Sequence, residues 1–121
     1  MVPSAAAAAP GDRRDRARNP WRAGRHVVTV PRLADLQGPT HGVVELPHRI
    51  VWQANRKVDL DHPALLLWAY EAVLREAVSI EELQRWLDGP TLVRVWPQLH
   101  LPASVREAWL QQHPELGRAA A

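Results

Sequence analysis

Apolar and polar positions change rhythm part-way along the chain. Val43-Val44-Glu45-Leu46 and Arg49-Ile50-Val51-Trp52 are short β-prone runs separated by Pro47-His48, a pattern that predicts a bend or small hairpin. Asn55 to Leu60 is polar and reads as a connector. Beyond it the spacing becomes helical. Asp61 is a candidate cap, and Pro63 suits a first turn, where its missing N–H costs nothing. Apolar residues then recur to about Val78. At about 100° per residue, Leu66, Ala69, Tyr70, Val73, Leu74 and Ala77 share one face, with Glu71 and Arg75 as an i,i+4 pair opposite.

Ser79-Ile80-Glu81-Glu82 has the form of a capping box, in which the serine oxygen takes the third helical N–H and the glutamate returns to the cap's own N–H. It predicts a second helix over Ile80–Asp88 with Ile80, Leu83, Trp86 and Leu87 inward, stopped by Gly89-Pro90. A third short helix is expected over Thr91–Trp96, ended by Pro97. A fourth runs over Ala103–Gln112 with Val105, Ala108 and Trp109 inward, ended by Pro114. These elements predict a mainly α fold: a small four-helix domain over 42–116, with a short N-terminal β or extended element.

Residues 1–41 have a different composition, an alanine run followed by clustered arginines and scattered Pro and Gly, which predicts a disordered leader. His26 to Val30 is a brief β-prone interruption closed by Pro31, and residues 117–121 read as a disordered tail. Residues 1–25 carry six arginines against two aspartates, net +4, so the chain's overall +2 leaves −2 on the remainder. Because no methionine follows Met1, translation from a valine codon at Val27, Val28, Val30 or Val43 is a further possibility. One lysine against fourteen arginines and eighteen alanines looks like translation of GC-rich DNA and suggests a bacterial source.

Composition also narrows the chemistry. With no cysteine, disulfides, thiolate catalysis and thiolate metal sites are excluded. No apolar run approaches the roughly 18 residues that a membrane span needs. Arg13-Arg14 is followed by no hydrophobic core for export, so the cytoplasm is the expected compartment. Five of the six tryptophans (Trp52, Trp68, Trp86, Trp96, Trp109) lie in the predicted domain, each able to bury about 150–250 Å². They are the expected staples of a small core.

Trp68 is the exception, since the helical projection sets it beside Glu71 and Arg75 and away from the core face. Either the β piece covers it or it anchors a partner, tryptophan being enriched at interface hot spots. Trp68, Glu71 and Arg75 are therefore the candidate partner-binding residues. The second and third helices also have helix-turn-helix spacing, so DNA reading by Thr91 and Arg94, with Arg13, Arg14, Arg16 and Arg18 on phosphates, is the alternative. Base edges need more polar side chains than those two supply. Asp59, Asp61 and His62, with Glu45 and His48, are the densest acid and imidazole cluster, but capping by Asp61 explains part of it. The remaining histidines, His26, His41, His100 and His113, are expected in loops or ends facing solvent, with His100 partly covered by Leu99 and Leu101. No phosphate loop or nucleophile elbow is present, so no enzyme activity, metal or cofactor is expected.

The segment Val43 to Leu116 resembles a family of small bacterial proteins with the shape V-x-L-P, I/V-W, D-L-x-x-P, Y-E-x-V-L-R-E, L-x-x-x-W-P-x-L-x-L-P and V-R-x-A-W. Here these are Val44–Pro47, Val51-Trp52, Asp59–Pro63, Tyr70–Glu76, Leu92–Pro102 and Val105–Trp109. The resemblance implies a gene beside a nucleotidyltransferase toxin of the abortive-infection type (AbiEii-like), and hence an antitoxin, regulator or accessory partner. The arginine leader and Val95, where leucine is common, depart from the pattern. The expected function is a non-catalytic protein-interaction or regulatory protein with a protein partner.

Overall fold

A computed structural model of the chain describes residues 27–51 and 53–119. The fold is mainly α-helical with a two-stranded antiparallel sheet: β1 (Val43–Glu45), β2 (Lys57–Asp59), α1 (Pro63–Glu76), α2 (Ile80–Trp86), α3 (Gly89–Val95), α4 (Ala103–Gln112) and α5 (Glu115–Ala119). Single 3₁₀ turns lie at Leu33–Asp35 and Trp96–Gln98.

The helical periodicity of α1 is realised as expected, with Leu66, Ala69, Tyr70, Val73, Leu74 and Ala77 all buried. Ala72 joins them. Pro63 opens the helix, but the cap position belongs to His62, which makes no side-chain capping bond. Asp61 instead turns its Oδ1 toward Gly42 N–H (3.4 Å), a glycine held at φ +80° as the chain enters β1. The serine box does cap α2, Ser79 Oγ accepting from Glu82 N–H at 3.2 Å. Its return bond goes one residue upstream of expectation, from Val78 N–H to Glu82 Oε1 at 2.9 Å.

Four expectations are corrected. The partner of β1 is Lys57–Asp59, not Arg49–Trp52, with Val43, Val44 and Glu45 opposite Asp59, Val58 and Lys57. The run after Pro47 curls up instead of extending, because Ile50 N–H and Val51 N–H both donate to Pro47 C=O (3.0 Å each) and the two side chains enter the core. Lys57-Val58-Asp59 alternates exposed, buried, exposed, a strand pattern hidden by its charges. Trp52 lies outside the described residues.

Second, Gly89-Pro90 begins α3 instead of ending α2. Asp88 is the cap, accepting from Thr91 N–H (3.1 Å), and Pro90 sits in the first turn. Gly89 serves close approach: a Cβ there would lie 2.4 Å from Leu33 C=O. Third, the folded body begins well upstream of residue 42. Val30 and Leu36 are fully buried. Gly38 N–H donates to Leu87 C=O and Gly89 N–H to Leu36 C=O at 3.1 Å, binding a strap of residues 27–38 across α2 and α3. Residues 1–26 of the expected leader lie outside the described residues. Fourth, α5 occupies the start of the expected tail and buries Leu116. It makes a fifth helix where four were expected.

The core is mostly aliphatic. Trp96 and Trp109 are fully buried within it, whereas Trp68 and Trp86 are half-buried and pack at its margin. Arg106 stacks over the Trp96 ring at 5.0 Å, Arg85 over Trp86 at 5.1 Å.

Candidate functional site

The stripe of α1 turned away from the core is formed by Ala64, Trp68, Glu71 and Arg75, spaced at i, i+4, i+7 and i+11. The buried side chains of α1 fix this orientation. Ala64 and Arg75 are exposed, Trp68 and Glu71 half-buried, and Leu65 adds an exposed aliphatic group alongside. The structure thus gathers the three expected contact residues on one face, but their duties differ. Glu71 accepts from His100 N–H at 2.8 Å and ties the Leu99–Leu101 segment to the helix. Arg75 lies 3.4 Å from Glu76. Trp68 leans on the core margin and is half-buried.

The DNA-reading residues are placed differently. Thr91 is only 7% exposed, and its hydroxyl donates to Asp88 Oδ2 at 2.7 Å. Asp88 N–H in turn donates to Tyr70 Oη at 2.9 Å, closing a polar knot between α1 and the α2–α3 joint. Burial pushes the Tyr70 hydroxyl above the ordinary tyrosine value, so it stays protonated and neutral in this knot. At the start of α3, Gly89 packs against Leu33 and donates its N–H to Leu36 C=O, while Pro90 is exposed. Arg94 is exposed, while Arg13, Arg14, Arg16 and Arg18 lie outside the described residues.

The acid and imidazole cluster at the entrance to α1 is a brace. Asp59 Oδ1 accepts from Asp61 N–H (3.0 Å), and Glu45 pairs with Arg56 (3.0 Å). Among the described residues no three His, Asp or Glu side chains converge as metal ligands. Nor is any described helix long and apolar enough to cross a membrane.

Arg49 links the turn after β1 to the α1–α2 junction: Nη1 donates to Glu76 C=O (2.9 Å), and Nη2 meets the Glu82 carboxylate. Burial raises the carboxyl pKa of Glu82, but the Arg49 guanidinium and Val78 N–H outweigh it and hold the group below the usual carboxylate range.

His113 is the residue whose place the sequence reading missed. Expected in solvent, it is 3% exposed, with Nε2 2.7 Å from Val30 C=O, 83 positions away along the chain. Its Nδ1 lies 3.7 Å from Glu115, and its ring is tilted against Trp109 at 5.8 Å. The i,i+4 spacing from Trp109 was the available signal, since it continues the inward face of α4. His100 is exposed, as expected of a loop histidine.

No family model, curated protein or solved structure matches the chain. The reading of function therefore rests on the residues and their arrangement.

Proposed function

We propose that the chain is a non-catalytic, cytoplasmic protein-interaction or regulatory protein that docks a protein partner on the open stripe of α1. Trp68 is its anchor, with Arg75 and Leu65 beside it. The observation that carries this reading is the incomplete burial of Trp68. The residue packs at the margin of the core and stays partly exposed, whereas the fold buries Trp96 and Trp109 completely. A partly exposed tryptophan beside an arginine has the composition of an interface hot spot. The resemblance described above names the candidate partner, a nucleotidyltransferase toxin encoded nearby, for which this chain would act on the antitoxin or accessory side. The DNA-reading alternative is less favoured, because Gly89 packs against Leu33 and Thr91 is committed to its cap, which leaves only Arg94 of that pair exposed.

The test is co-expression with that nucleotidyltransferase and recovery of a stoichiometric complex. Trp68→Ala should weaken the complex by about tenfold to a hundredfold, as expected for a hot-spot residue, while circular dichroism and unfolding cooperativity persist. A Trp68→Ala chain that binds the enzyme as tightly as the parent would overturn the proposal, as would failure of the intact pair to associate.

A further inference from the structure

We infer that the outer edge of β1 pairs with the same edge of a second copy of this chain, giving a weak two-fold dimer with a continuous four-stranded sheet. The hairpin's own hydrogen bonds determine which backbone groups remain. Leu46 N–H donates to Arg56 C=O (3.0 Å) and Leu60 N–H to Gly42 C=O (2.8 Å). Positions 42/60, 44/58 and 46/56 are therefore the hydrogen-bonded pairs, and Val43/Asp59 and Glu45/Lys57 the non-bonded ones. The N–H and C=O groups of Val43 and Glu45 consequently point away from β2, and no described residue hydrogen-bonds them. The other edge of the sheet is partly closed by its neighbours: Lys57 N–H donates to Asn55 Oδ1, and Asp59 C=O accepts from His62 N–H, each at 3.1 Å. An open strand edge is a template for another strand.

Self-pairing is favoured because one register satisfies the edge completely. With the two-fold axis at Val44, Val43 of each copy lies opposite Glu45 of the other, and four N–H···O=C bonds form. A slip toward the N-terminus runs into Gly42, whose φ of +80° turns the backbone out of the strand. A slip the other way sets the two Glu45 side chains directly opposite and brings in Pro47, which has no N–H. In the centred register the two carboxylates are diagonal, each already held by its own Arg56 Nη2 at 3.0 Å. Val43, 65% exposed in the single chain, then gains cover from the stem of Glu45 of the second copy.

Three residues a side fall well short of the about 1,200 Å² of a stable interface, so association should be reversible, with dissociation in the range of about 0.1–1 mM. This contact is independent of the α1 stripe.

The test is sedimentation equilibrium and amide hydrogen exchange on the full chain between about 10 μM and about 1 mM, which brackets the expected dissociation constant. Dimer should appear toward the upper end, with exchange at Val43 and Glu45 slowing about two- to threefold while Val44, already bonded within the hairpin, keeps its protection. Glu45→Pro deletes one outward N–H at a position where an edge strand tolerates proline, and should remain monomeric. Glu45→Gln, which keeps that N–H, should dimerise like the parent. A parent chain monomeric across the whole range would overturn the inference, as would a dimer that survives in Glu45→Pro or protection that appears elsewhere than at Val43 and Glu45. Because exchange is read on the unmodified chain, a Glu45→Pro chain that failed to fold would leave the inference open to refutation.

Discussion

Replacing His113 by alanine is expected to loosen both ends of the folded body at once. The imidazole is buried between the strap and the α4–α5 corner, and its Nε2 lies 2.7 Å from the Val30 carbonyl. Removing the ring leaves that carbonyl without a donor in the interior, costing about 1–3 kcal/mol. It also opens a void beside Trp109, and large-to-small changes in cores cost about 2–5 kcal/mol. The two terms overlap, so about 3–5 kcal/mol is expected in total, a large share of the about 5–15 kcal/mol that holds a typical domain together. Urea unfolding followed by tryptophan fluorescence gives the midpoint and the slope, which report different things. A lower midpoint at constant slope means a weaker but complete fold. A smaller slope means that the strap is already released before unfolding, since less surface remains to be exposed. Amide exchange over residues 27–38 separates these cases directly, and His113→Gln, which keeps a donor, should recover part of the loss. An alanine variant within about 0.5 kcal/mol of the parent, the range of an ordinary surface substitution, with strap amides equally protected, would refute the reasoning.

Gly89→Ala should destabilise despite alanine's advantage of about 1 kcal/mol within a helix. Its Cβ would meet Leu33 C=O at 2.4 Å, and a net loss of about 1–3 kcal/mol in denaturant unfolding is expected. Asp88→Ala removes the acceptor for both Thr91 N–H and the Thr91 hydroxyl, and should cost about 1–2 kcal/mol, read as a lower thermal midpoint. Glu82 is held below its unfolded pKa of about 4.3, so its contribution is complete above that value and disappears as pH falls through the depressed folded value. Stability measured between pH 7 and pH 3 should therefore fall less steeply in Glu82→Gln than in the parent.

The sequence made α1 and α4 legible because their apolar residues repeat at helical spacing, and proline marks the start of α1 and both flanks of α4. The capping box at Ser79 was equally readable, since it depends on two side chains three positions apart. What escaped was long-range. Lys57-Val58-Asp59 is a strand only because Val43–Glu45 lies beside it, and Val58 alone carries the inward signal. Gly89-Pro90 has the composition of a helix stop. Its direction was decided by Asp88 and by the nearness of Leu33, a residue 56 positions earlier in the numbering. The strap was hidden for the same reason: Val30 and Leu36 are isolated apolar residues in a polar, proline-punctuated stretch, and their burial depends on partners in α2, α3 and at His113. In the candidate site the stripe Ala64, Trp68, Glu71, Arg75 followed from the projection of α1, whereas the bond from His100 N–H to Glu71 required the 3₁₀ turn and the loop after it.

These placements bear on the class of function, because a chemical site needs polar groups that are free to meet a substrate. Asp59, Asp61, Glu71, Glu82, Asp88 and His113 each hold a backbone segment or a neighbouring element in place. A substitution at any of them should therefore be read first in stability. Among the surfaces not spent on bracing are Trp68 and Leu65 on α1 and the outward backbone of β1. Under the two proposals above each would meet another polypeptide, the first by apolar contact and the second by main-chain hydrogen bonds. The two proposed contacts are separable, since Trp68→Ala leaves the β1 edge intact and Glu45→Pro leaves the α1 stripe intact.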